Sequence, residues 1–169
     1  MGAAAQEPAI CRLVVLATAV RPPGERRRPL RFFPNGLNYR SEAEAIRRFA
    51  LIPRQPRPVD WLVDHIARQS IKATTRADGS PGWAWKFDWR IFGWDSDRWL
   101  GDDLAKVTVP VAFVHGALSK VVSLKAAAAT AALVRSSTPM TVSWVADAHH
   151  HLMLDQPLAF AETLDAISG

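Results

Sequence analysis

The sequence predicts an α/β protein with about three parallel strands, flanking helices and a helical insertion after the first strand. Three observations carry this. The stretches 11–18 ("CRLVVLAT"), 107–115 ("VTVPVAFVH") and 141–146 ("TVSWVA") are short apolar runs rich in β-branched residues, the pattern of strands buried on both faces. A helix-forming stretch separates the last two runs, and another follows the third. Strands joined by such crossovers pair in parallel.

The elements follow in chain order. "AAAQEPAI" reads as the tail of a helix and a short connection before the first strand. The stretch 21–38 is rich in Pro, Gly and Arg and reads as loop. "SEAEAIRRF" opens a helix, with Ser41 and Glu44 forming a capping box. Three prolines in "LIPRQPRP" end it. "VDWLVDHIARQSI" is the next helix, with Trp61, Leu62, His65, Ile66 and Gln69 on one face by their spacing. Five tryptophans crowd Trp83 to Trp99, and Trp83, Trp85 and Phe87 alternate as in an extended segment. Such a cluster lines a pocket or fills the core of a small subdomain. "SLKAAAATAALVRSS" is a helix capped by Ser123, and "PLAFAETLDAIS" is the last helix, with Pro157 in its first turn. The expected organisation is a core remnant at 1–20, a Trp-rich helical insertion at 21–104, and a βαβα segment at 105–169.

Composition narrows the function classes. The chain has 169 residues, 49% hydrophobic and 22% charged, enough for one globular domain with a real core. No apolar run approaches the roughly 20 residues of a membrane span. Only Arg12 precedes the apolar run at 13–20 and "RPPGERRR" follows it, so that run reads as a strand and not a secretory signal. Cys11 is the single cysteine, which excludes an internal disulfide and favours a cytoplasmic location. The net charge of +5 is concentrated between Arg21 and Arg57, where ten arginines face three glutamates. Without interleaved aromatics or a nucleic-acid motif, this reads as a solvated surface, and neither nucleic acid nor membrane is an expected partner.

"VADAHHHLMLDQP" (145–157) holds three consecutive histidines followed by Asp155. Adjacent histidines on an extended loop point to different sides, and no H-x-x-x-H, H-E-x-x-H or cysteine partner accompanies them, so no metal is expected. His65 and His115 are distant in sequence. Cys11, Ser70, Ser80 and Ser119 have no nucleophile motif around them.

The order of strand, helical insertion and βαβα with a histidine loop resembles the C-terminal portion of a bacterial α/β-hydrolase. "VPVAFVHGALS" resembles that family's strand before the acid loop, written P-V-L-x-x-x-G-x-x-S/D. "AHHHLMLDQPLAF" resembles the catalytic-histidine loop, G-H-x-x-x-x-D-x-P. "YRSEAEAIRRFALIPRQP", "DHIARQS" and "GWAWKFD" resemble the cap of one subgroup, and "CRLVVLATAVRPPG" the strand leading into it.

The resemblance implies an ester or acyl hydrolase with Ser-His-acid chemistry, no metal and no diffusible cofactor. It implies His150 as the general base, with His149 at the motif's usual glycine. The nucleophile elbow G-x-S-x-G occurs nowhere in the chain, and the family's early strands and oxyanion loop have no counterpart. The acid is unassigned. The expected positions read Ser119–Lys120 and Ala17–Thr18, Asp147 lies nearby, and Asp155 is expected to cap the final helix. The resemblance therefore implies a truncated hydrolase, inactive alone, whose partner is a small apolar ester or acyl substrate if completed by an N-terminal half. The alternatives are a non-catalytic apolar-ligand or partner-binding module, and one half of a split enzyme. The open edge of the first strand predicts self-association of the isolated chain.

Overall fold

The computed structural model describes residues 10–20, 38–56, 59–88, 100–135 and 137–169. In chain order the elements are β1 (Leu13–Leu16), α1 (Glu42–Arg47), α2 (Asp60–Gln69), β2 (Ile71–Thr75), β3 (Pro81–Trp85), α3 (Leu100–Leu104), β4 (Val111–Gly116), α4 (Leu124–Ala131), β5 (Met140–Val145), α5 (Leu152–Asp155) and α6 (Pro157–Ser168). They fall into two compact units, Met1–Glu25 with Asp97–Gly169, and Arg26–Ser96. The expected helix tail before residue 10, the loop at 21–37 and Trp89, Trp94 and Trp99 lie outside the described residues.

The first unit is built on a three-stranded sheet in the order β1-β4-β5, parallel throughout. Leu13 stands opposite Val111, His115 opposite Trp144, and Gly116 opposite Val145. All six residues of β4 are buried, as expected of a central strand covered on both faces. On one face Val15, Val111 and Phe113 pack with Leu104, Val107, Ala131 and Val134. On the other, Ala112, Val114 and Val145 pack with Ala148, Leu152 and Ile167. The second strand starts at Val111, not Val107. The Val107 N–H bonds the Leu104 carbonyl at the end of α3, and Pro110 has no N–H for a ladder.

Ser123 caps α4 as its sequence implies, its Oγ accepting the Ala126 N–H at 3.2 Å. Buried Thr130 ties the segment leaving β1 to this helix by accepting the Val20 N–H at 2.9 Å.

Among the described residues, the second unit holds two helices and an antiparallel hairpin, β2 with β3. The Ser41 Oγ accepts the Glu44 N–H at 3.2 Å, while the Glu44 carboxylate reaches back to the Arg40 N–H at 3.0 Å, one residue beyond the expected partner. The expected helix over "VDWLVDHIARQSI" stops at Gln69, and Ile71 already belongs to β2. Its buried residues are Val63 and Ala67, whereas Trp61 is exposed at 73%. Trp83 and Trp85 do alternate in an extended segment. Trp85 donates from Nε1 to the Tyr39 hydroxyl at 3.1 Å and packs against Phe49 and Phe87. Tyr39, Ala45 and Ile71 are the buried residues of this small core.

Candidate active site

The three histidines follow β5 at the carboxyl end of the parallel sheet. In open α/β sheets this is the edge where ligands bind. Asp147 turns the chain out of the strand with φ 54°, a left-handed conformation that Asp tolerates better than most residues. Two backbone bonds from the end of β4 then hold the loop. The Ala117 N–H donates to the Val145 carbonyl at 2.9 Å, and the Leu118 N–H to the Ala148 carbonyl at 2.8 Å. Gly116 permits the approach, because a β-carbon there would overlap the carbonyls of Ala148 and His149.

The loop is fixed from its other end by Asp155. Its carboxylate is almost fully buried, accepts the His149 N–H at 2.5 Å and lies 3.1 Å from His149 Nδ1. This corrects the expectation that Asp155 caps the final helix. The residue preceding α6 is Gln156, with no side-chain cap bond, and Asp155 sits inside the short helix α5. A buried carboxylate needs compensating donors, and the histidine loop supplies them.

His150 lies between His149 and His151, its ring 5.0 Å from that of His151. Its Nδ1 is buried and has no hydrogen-bond partner among the described residues. Burial first, and the neighbouring His151 second, hold its pKa below the ordinary imidazole value.

Neither expected acid position carries a carboxylate. The Ser119 Oγ is occupied in its own turn, accepting the N–H groups of Val121 at 3.2 Å and Val122 at 3.3 Å. Lys120 and Thr18 are exposed, and Ala17 is buried with φ 49°. Asp147 is exposed. Among the described residues, no three His, Cys, Asp or Glu side chains converge on a metal position.

Two features escaped the reading of the sequence. One is the carboxylate partner of His149, which stands at the motif's usual glycine position. No residue pattern in the loop announces that the Asp155 carboxylate returns to it. The other is His115, set aside as distant in sequence. It is fully buried one residue before Gly116, its ring 5.0 Å from Trp144 and stacked with Phe113 at 6.3 Å. Neither ring nitrogen has a hydrogen-bond partner among the described residues, and burial lowers its pKa.

No protein-family profile matches the chain, and no curated protein sequence matches it. Solved structures do. An esterase from Mycobacterium tuberculosis aligns at TM-score 0.71 and 19% identity, over 98% of this chain and 54% of its own. E-2-(acetamidomethylene)succinate hydrolase aligns at TM-score 0.66 and 20% identity, over 99% of this chain and 60% of its own. A peroxisomal α/β-hydrolase from Saccharomyces cerevisiae aligns at TM-score 0.67 and 9% identity, over 98% of this chain and 47% of its own. The chain thus has the α/β-hydrolase fold in part, and spans roughly half the length of the structures it matches.

Proposed function

We propose that this chain is the cap and histidine-loop portion of an ester or acyl hydrolase working by Ser-His-acid chemistry, with His150 as its general base. The observation that carries the reading is the placement of the histidine loop. It leaves the third parallel strand at the sheet's carboxyl edge and is bonded there to the turn after β4. The alignments with hydrolase structures support the same reading.

In such chemistry an imidazole takes the proton of a nucleophilic serine and returns one to the leaving group. The 169 residues hold no G-x-S-x-G, and His150 has no carboxylate beside it in the turn after β4. The serine hydrolase reaction therefore requires further polypeptide, on the same chain or another, that brings an elbow and an oxyanion hole. The substrate of this proposed reaction is a small apolar ester or acyl compound. We place the protein in the cytoplasm on its single cysteine, and no helix among the described residues is long and apolar enough to cross a membrane.

The test is complementation. The chain alone should not be labelled on serine by a fluorophosphonate probe. Co-expression with a hydrolase N-terminal half bearing the elbow should give probe labelling and ester turnover that His150→Gln abolishes. Serine labelling of the isolated chain, or turnover by the complex that survives His150→Gln, would overturn the reading.

One observation favours a second reading, a non-catalytic binding module. The turn where an acid is expected is already satisfied internally by Ser119. Tight binding of an apolar ligand by the chain, with no turnover after complementation, would select it.

A further inference from the structure

His149 and Asp155 already form a histidine–carboxylate pair of the geometry used in nucleophilic and acid–base catalysis. The carboxylate lies 3.1 Å from Nδ1 and also accepts the His149 N–H, so the pair takes no carboxylate from the turn after β4. Its burial at 2% exposure keeps water from competing for the same oxygen, whereas the His149 side chain retains 25% exposure. A carboxylate on Nδ1 selects the tautomer with the proton on that nitrogen and leaves the Nε2 lone pair available. The adjacent His150 has the opposite arrangement, with a buried Nδ1 lacking a partner among the described residues.

We propose that His149, oriented by Asp155, is an acyl-accepting imidazole in its own right, acting on activated esters without a serine nucleophile. This activity is separate from the role assigned to His150 and stands whether or not that role does. The steps balance. Nε2 attacks the ester carbonyl, the C–O bond to the leaving group breaks, and an aryloxide departs with the electron pair. The acyl-imidazolium so formed carries its remaining proton on Nδ1, against the Asp155 carboxylate. Water then adds to the acyl carbon and gives up one proton to the solvent, the C–N bond breaks with its electron pair returning to Nε2, and carboxylic acid and neutral imidazole are released. Aryl esters are the matching class, because an imidazole displaces a phenolate far more readily than an alkoxide.

The experiment uses the full 169-residue chain and p-nitrophenyl acetate. Nitrophenolate release should exceed that of free histidine at equal imidazole concentration. His149→Gln should reduce it to the level of the remaining histidines, and His65→Gln, at an exposed histidine of α2, should leave it unchanged. Asp155→Asn should lower it about tenfold, the scale of one charge-assisted hydrogen bond. Two readouts need no variant to fold. Fragment mass spectrometry after brief treatment with diethylpyrocarbonate should place the adduct on His149 ahead of His150. Imidazole 15N shifts should report His149 protonated on Nδ1. Modification of His150 ahead of His149, an Nε2-protonated His149, or release that survives His149→Gln would overturn the proposal. Complementation by a serine-bearing half tests the His150 reading separately.

Discussion

Gly116 stands so close to the carbonyl oxygen of His149 that a β-carbon on it would overlap that oxygen. The end of one strand and the loop leaving the next thus share a space that only a glycine leaves open. Gly116→Ala must push the histidine loop away or distort the end of β4. Overpacking of this kind costs about 1–3 kcal/mol. The expected outcome is a lower denaturant midpoint, with the largest amide shift changes at His149 to His151 in a 15N spectrum.

Acid should weaken the fold through His115 and His150. Burial holds both below the ordinary imidazole value of 6.5 in the folded chain. In the unfolded chain they titrate near that value. Above it both states are neutral and stability is full. As the pH falls below it, the unfolded chain binds protons that the folded chain refuses. Stability then drops by up to about 1.4 kcal/mol per pH unit for each group, until the folded-state values are reached. Urea melts at a series of pH values measure the slope.

His115→Phe isolates the share of the strand residue. The site is walled by Phe113 and Trp144, and the imidazole leaves two ring nitrogens without partners among the described residues. A buried unsatisfied polar atom costs about 1–3 kcal/mol. The variant should be at least as stable as the parent at neutral pH and should lose part of the acid slope.

The parallel sheet was legible because its signals are local and doubled. Each strand is an apolar run bounded by turn residues, and the helix between β4 and β5 announces its start with Ser123. The hairpin of the second unit was half legible. Alternation marked Trp83 and Trp85, but of "IKATT" only Ile71 received an assignment, as the end of the preceding helix, although Asp78-Gly79 between two β-rich runs is a hairpin signal. The face of α2 was misread because spacing groups Trp61 with Ile66, while burial is decided by what the rest of the unit covers. At the site, motif order pointed to His150. The link between His149 and Asp155 is tertiary, created when α5 folds the carboxylate back onto the loop, and residue types alone do not carry it.

Gly79 tests the hairpin turn. Its φ is +80°, and a β-carbon there would meet nothing within 4 Å. Gly79→Ala therefore carries a purely conformational penalty, about 1–2 kcal/mol for an L-residue held in the left-handed region. Gly79→Asn should lose less, because Asn visits that region more readily. Loss of Trp85 fluorescence structure at lower denaturant in the alanine variant, with the asparagine variant between it and the parent, is the expected order.

The first strand should govern assembly. The N–H groups of Leu13 and Ala17 point to β4, bonding Pro110 and Val114. Strand alternation then turns the N–H and C=O of Val14 and Leu16 to the opposite edge, where no further strand pairs among the described residues. Leu16 is also exposed at 36%. An apolar strand with free pairing groups adds another strand from whatever chain is present, and in a purified sample that chain is a second copy. The isolated protein should therefore sediment as concentration-dependent oligomers. Leu16→Lys should shift it toward monomer, since an edge lysine would be buried by strand addition and resists it. A monomer at every concentration with a sharp cooperative melt would mean that this edge is already covered within the chain.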